Sequence, residues 1–196
     1  VTIVGQIARQ QVTPVAVSQV TAIEIEERLG GQEFTDVLKN TPGVHANGNG
    51  GGWGDSEIWM RGFDNTNIAT MVNGVPMNDM ENGTLYWSNW QGLSDVTSVM
   101  QTQRGMGASK ISAPSVGGTI NIVTKGIDAK HGGNIAYSMG NDGSNKISFG
   151  VSTGLMENGW AITVQGSRSW GDGYIQGTSY EGYSYFASIA KRINEQ

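Results

Sequence analysis

Four groups of residues have the right types for chemistry, and the first three lack the spacing that chemistry needs. The stretch NDMENG, residues 78–83, has the look of a calcium loop. Counted from Asn78, position 3 is Met80 and position 12 is Asn89, where an EF-hand needs oxygen donors. Asp79 and Glu81 are therefore read as a solvated acidic turn, and no metal site is expected. GMGASK, residues 105–110, has a Gly-x-Gly and Lys110 but neither the spacing nor the second anchoring Gly of a phosphate loop. Its glycines are expected to let the backbone turn after a strand. His45 and His131 have no Ser in a G-x-S-x-G elbow and no Asp in a recognisable relation to either ring. His45 is placed in a passage from helix to loop, and neither an enzyme nor a cofactor is expected. The fourth group is aromatic: Trp53, Trp59, Tyr86, Trp87 and Trp90. Such rings stack on flat ligands or fill packed interfaces equally well. Trp53, Tyr86, Trp87 and Trp90 are kept as candidates for ligand-facing loops, with packing as the competing reading.

Positioning these residues requires a small mixed unit over residues 1–130. Val15–Val20 alternates as a strand, and Thr21 with Glu24 three residues on forms a capping box for a helix ending at Gly30-Gly31. A second short helix, about Glu33 to Asn40, puts Phe34, Val37 and Leu38 on one face before Pro42-Gly43 stops it. Segment 46–55, ANGNGGGWGD, has no periodicity and is read as a mobile loop. Strand patterns follow at Ile58–Met60, Ile68–Val72, Ser98–Gln103 and Thr119–Thr124, with Asn73-Gly74 supplying a turn that needs positive φ. Strands and helices mix without regular βαβ repeats, so the sheet is expected to be small and mixed.

Residues 131–196 change to period two. Ile135, Tyr137 and Met139 alternate with Asn134, Ala136 and Ser138; Ile147, Phe149 and Val151 with Lys146, Ser148 and Gly150. Trp160, Ile162 and Val164, and then Tyr183, Tyr185 and Ile189, continue the apolar face, while Phe186 breaks the polar side. A soluble sandwich shows the same alternation, as does a membrane barrel with aromatic residues near its strand ends. Charged residues are 15% of the chain, against roughly 25% in an ordinary soluble domain. The net charge of −5 argues against a nucleic-acid face. No apolar run is long enough for a transmembrane helix, which does not bear on a barrel. The chain has no Cys and opens VTIVG without an apolar leader, so a signal peptide would have been removed or lie outside these residues.

The order MRGF, NGVP, QRG and GGTINIVTK within about 65 residues resembles the plug domain of TonB-dependent outer-membrane receptors. Asn73 stands where that family usually writes Asp. The resemblance implies an α/β plug, a small mixed sheet with short helices, followed by antiparallel strands of a transmembrane β-barrel. Four strands cannot close a barrel, so a fragment of a larger, 22-stranded plugged barrel is expected. It further implies TonB-dependent import of a siderophore, haem, vitamin, peptide or oligosaccharide across a Gram-negative outer membrane. The partners would be periplasmic TonB, outer-membrane lipid, the ligand, and a surface lipoprotein or another outer-membrane subunit. The alternative is a non-transporting outer-membrane binding or assembly protein using a plug-like module. By resemblance, Arg61 and Arg104 latch the plug to carboxylates on the barrel wall. Both are expected to end strands of one sheet and to lie close together. Thr2, Ile3 and Val4 resemble the end of a TonB box, the segment TonB would capture as an added strand.

Overall fold

Thr21 closes one element and opens the next. It is the last residue of strand β1 (Ala16–Thr21) and the N-cap of helix α1 (Ala22–Leu29). Its hydroxyl accepts from the Glu24 N–H while the Glu24 carboxylate accepts from the Thr21 N–H, so the capping box forms in full. The helix buries Ile25 and Leu29 and presents its glutamates to solvent. The computed structural model describes residues 16–30, 32–49, 53–105 and 115–193. Thr2, Ile3 and Val4, and GMGASK beyond Gly105, lie outside the described residues.

The expected second helix is a tighter 3-10 turn, Phe34–Asn40, burying Phe34, Val37 and Leu38. After it the structure departs from the loop expected over 46–55. Val44–Gly48 is a strand, β2, paired antiparallel with β3 (Ser56–Met60). The glycines hid a strand whose inward face carries only Val44 and Ala46, both buried. His45 is consequently an exposed strand residue opposite Trp59 rather than part of a helix-to-loop passage.

A 3-10 turn at Asn65–Asn67 leads into β4 (Ile68–Val72), and Asn73-Gly74, both at positive φ, turn it into β5 (Val75–Pro76). A 3-10 turn at Trp87–Trp90 and the short helix α2 (Leu93–Val96) precede β6 (Thr97–Arg104), and β7 (Gly118–Thr124) follows. These strands make a five-stranded sheet in the order β1-β6-β7-β4-β5. The β4–β7 pair is parallel and the others antiparallel, which gives the mixed sheet expected. Met100, Ile120 and Ile122, all fully buried, form its centre against Val37, Leu38, Ile58 and Met60. β2 and β3 form a separate two-stranded sheet laid on that core.

The four period-two segments are strands β8 (Gly132–Met139), β9 (Asn145–Ser152), β10 (Trp160–Gly171) and β11 (Tyr180–Lys191). They pair consecutively and antiparallel as a second sheet. The turns alternate in side. The Asp172 N–H reaches the Asp142 carbonyl, 2.9 Å, while the Arg192 N–H reaches the Gly159 carbonyl at the other end, 2.7 Å.

Candidate functional site

The inner stripe of the second sheet is made mostly of small or neutral polar residues with three exceptions, the cation Lys146 and the large Phe186 and Tyr180. All three touch the N-terminal unit. Lys146 Nζ lies 2.8 Å from Asp95 Oδ1 in an ion pair whose side chains are 20% and 14% exposed. The same ammonium donates to Ser94 Oγ at 3.2 Å. Helix α2 sets Ser94 and Asp95 side by side, and Lys125 Nζ donates to the Asp95 carbonyl at 2.7 Å. Phe186 packs half-buried against the core cluster, as does Trp90. Between these contacts Gln91 accepts a hydrogen bond from Ser169 at 2.8 Å. Gly92 lies so near Ser184 that any side chain there would collide with it.

At one end of this interface Trp53 stacks on Tyr180, 5.3 Å between centroids and 14° between planes. The loop carrying Trp53 is tied down by Glu33, whose carboxylate accepts from the Gly54 N–H at 2.9 Å and from the Ser56 hydroxyl. Burial pushes the Glu33 carboxyl above its ordinary range, and the Gly54 hydrogen bond opposes the rise. Of the ligand-facing candidates, Trp87 is corrected: it is 6% exposed and packed against Phe34 at 6.0 Å, because the core needs its volume. Trp53 and Trp90 are half-buried toward the second sheet. Tyr86 is exposed, with its hydroxyl accepting from Asn82.

The arginines meet one expectation and correct another. Arg104 Nη1 donates to the Pro42 carbonyl at 2.6 Å, and the Arg61 N–H donates to the Gly43 carbonyl at 2.9 Å. Gly43 stands between them: a Cβ added there would lie 3.7 Å from Arg104 Cδ and 3.8 Å from Arg61 Cγ. They are close together. They do not end strands of one sheet, because Arg61 follows β3 in the two-stranded sheet and Arg104 ends β6 in the five-stranded one. Among the described residues neither pairs with a carboxylate. Asp79 receives the N–H groups of Glu81 and Asn82 at 2.8 and 3.2 Å, an acidic turn closed on itself.

Residues 9–119, more than half of the chain, match the family described as the TonB-dependent Receptor Plug Domain. The chain belongs to that family. It is 24% identical to the vitamin B12 transporter BtuB of Vibrio vulnificus, over 88% of this chain and 29% of that protein. It is 28% identical to the ferric enterobactin receptor of Pseudomonas aeruginosa, over 72% of this chain and 21% of the receptor. Among solved structures, the FpvAI–pyocin S2 complex superposes with a TM-score of 0.74 at 18% identity, over 94% of this chain and 24% of that one. The siderophore receptor PirA from Pseudomonas aeruginosa gives 0.62 at 17%, over 91% and 32%. The chain therefore spans less than a third of the length of these relatives. Its fold is a plug followed by antiparallel strands of a plugged barrel, and the seam just described lies between plug and wall. The three exceptions on the inner stripe were the available sequence signal for that seam. A lone Lys and two large aromatic rings among small or neutral polar residues each need a partner.

Proposed function

We propose that the whole receptor imports a scarce small ligand across the Gram-negative outer membrane in a TonB-dependent manner, with residues 1–130 as its plug and 131–196 as the first wall strands. The observation that carries this reading is that the wall turns its apolar face away from the plug and its small polar face toward it. Phe149, Val151 and Tyr185 are exposed on one face, while Ser148, Thr163 and Gln165 are covered on the other. A cation–aromatic pair stands near each end of the outer face: Arg168 over Trp170 at 4.9 Å and Lys191 over Trp160 at 5.0 Å. Ten positions separate the two tryptophans along β10, or ~33 Å at ~3.3 Å per residue. At a strand tilt of roughly 40° that is a height of ~25 Å, the apolar band of an outer-membrane barrel.

In this reading the long 171–181 connection faces outward and the short 155–158 turn faces the periplasm. Tyr86 and the Trp53 loop then lie toward the ligand side. Arg61 and Arg104 await carboxylates from wall strands outside this chain, where a sheltered guanidinium would be held by charged hydrogen bonds. Thr2–Val4 are the segment that TonB would capture as an added strand. The ligand belongs to the class of siderophores, haem, vitamins, peptides or oligosaccharides; the relatives are named for vitamin B12 and ferric enterobactin.

The test is uptake by the full-length receptor in a Gram-negative host deleted for its own TonB-dependent receptors, with a panel of ferric siderophores, haem, cobalamin and oligosaccharides. Accumulation of one ligand that stops when the proton gradient is collapsed supports import. Saturable surface binding with no accumulation in either condition overturns it.

A further inference from the structure

The seam between plug and wall is not uniformly packed. Toward the Trp53–Tyr180 stack it narrows to a pocket of about 30 Å³ bounded by Glu33, Gln91 and Ser144. Farther along β8–β10 it widens to a cavity of about 290 Å³. One wall of the cavity is α1 and α2; the other is Asn134, Ala136, Ser138, Ser148 and Gln165 from the inner stripe. Ser94, Ser138 and Lys146 border both spaces, so the Asp95–Lys146 pair stands at the constriction between them.

Three features mark this constriction as a moving part. The pair bridges two bodies and does not brace either one internally: Asp95 is in the plug and Lys146 in the wall, 51 residues apart. Its geometry is half complete, because Asp95 Oδ2 is buried and has no hydrogen-bond partner among the described residues. A buried carboxylate with one oxygen unsatisfied gains less from its partner than a bidentate pair does. Finally, the lining on the wall side offers hydroxyls, two amides and no large apolar side chain, a surface that exchanges hydrogen bonds with a passing polar solute without trapping it in a hydrophobic contact.

We propose that this seam is the route by which a polar, hydrogen-bonding solute passes the plug, and that Asp95–Lys146 is its gate. With the pair made, α2 is pinned to β9 and the outer pocket is cut off from the cavity. With the pair broken, the Lys146 side chain is free to swing off α2 and the two spaces join. The Gln91–Ser169 hydrogen bond and the packing of Phe186 on the plug core flank the gate and hold the plug in place while it opens. The inference rests on the import reading for its cargo, but its test needs neither ligand nor TonB.

The experiment is potassium chloride conductance of the purified full-length receptor in planar bilayers. Asp95→Asn and Lys146→Met should each raise open probability roughly tenfold, the population change that about 1.4 kcal/mol produces. The exchanged pair, D95K with K146D, should return to the closed level of the parent. Ser138→Trp placed in the Lys146→Met background should block the current, because Ser138 borders both spaces; Ile147→Trp, on the lipid face, should leave it. Cysteines at 95 and 146 joined by a short bifunctional thiol cross-linker should be closed when linked and conducting when unlinked, which keeps the test valid where a single variant folds poorly. Single variants as closed as the parent would overturn the gate. A current unaffected by Ser138→Trp would overturn the route. Absence of energy-dependent uptake, with the conductance results as expected, would remove the import reading and leave the gate standing.

Discussion

The plug and the wall are both sheets, yet they bury opposite kinds of residue. In the plug, Met100, Ile120 and Ile122 are fully enclosed and their neighbours Gln101, Gln103 and Asn121 are enclosed with them, because the central strands are covered on both faces. In the wall, Ile135, Tyr185 and Ile189 stand 83%, 87% and 69% exposed while Ser148, Thr163 and Gln165 are covered. A soluble sheet with that inversion would expose an apolar patch well beyond what monomers tolerate. The wall's apolar residues are therefore matched to a non-aqueous solvent, and its polar residues to the plug. The difference teaches that amphipathic alternation alone gives two faces without saying which is inside. What sits against each face decides it.

Substitutions that separate the two environments should have unequal and solvent-dependent effects. The largest is expected at the plug centre, where Ile122→Ala should cost about 2–5 kcal/mol through the cavity it leaves. That loss should be the same in detergent and in lipid, as read by chemical denaturation followed at the plug tryptophans. Phe149→Arg should cost about 2–4 kcal/mol in a bilayer, where the guanidinium meets hydrocarbon at mid-span. In a loose detergent micelle the penalty should shrink. Equal penalties for Phe149→Arg in both media would break the comparison.

The smallest effect concerns pH at the outer loop. Burial raises the Glu33 carboxyl above its ordinary 4.5, with Asp36 and Asp55 adding to the rise and Lys39 opposing it. The folded state therefore holds its proton more tightly than the unfolded chain. Stability from this group grows as pH falls through the raised value, levels off below 4.5, and is lost as pH rises. Glu33→Gln keeps an acceptor for the Gly54 N–H and removes the charge, so it should flatten this dependence. Thermal unfolding of both forms between neutral pH and mild acid, read through Trp53 emission, measures it. A Gln variant with the parent's slope would sharpen the picture against Glu33.

Much of this arrangement was readable from local pattern. The capping box at Thr21 and Glu24, the turn at Asn73-Gly74 and the four alternating strands depend on residues close in sequence, so their signals survive without the fold. The strand β2 did not announce itself, since Val44 and Ala46 are its sole apolar residues and glycines follow them. The sheet to which β3 belongs was also illegible, because pairing is decided by long-range packing and not by the strand's own residues. The two arginines were brought together as expected, yet through Gly43 and the Pro42 carbonyl, contacts that no motif spelled out. The plug–wall pair Asp95–Lys146 joins positions 51 apart, and its only trace was a single cation on a stripe of mostly small or neutral polar residues.

The central claim, that one face of the wall meets lipid and the other meets the plug, is tested most directly by site-directed spin labelling along β9 in the full-length receptor reconstituted in bilayers. Labels at Ile147, Phe149 and Val151 should collide with dissolved oxygen and be shielded from a water-soluble nickel chelate. Labels at Ser148 and Gly150 should be shielded from both while the plug is seated. The account predicts this period-two alternation in oxygen access. A label at Phe149 that is open to the nickel chelate, or oxygen access that does not alternate between Phe149 and Ser148, would contradict it.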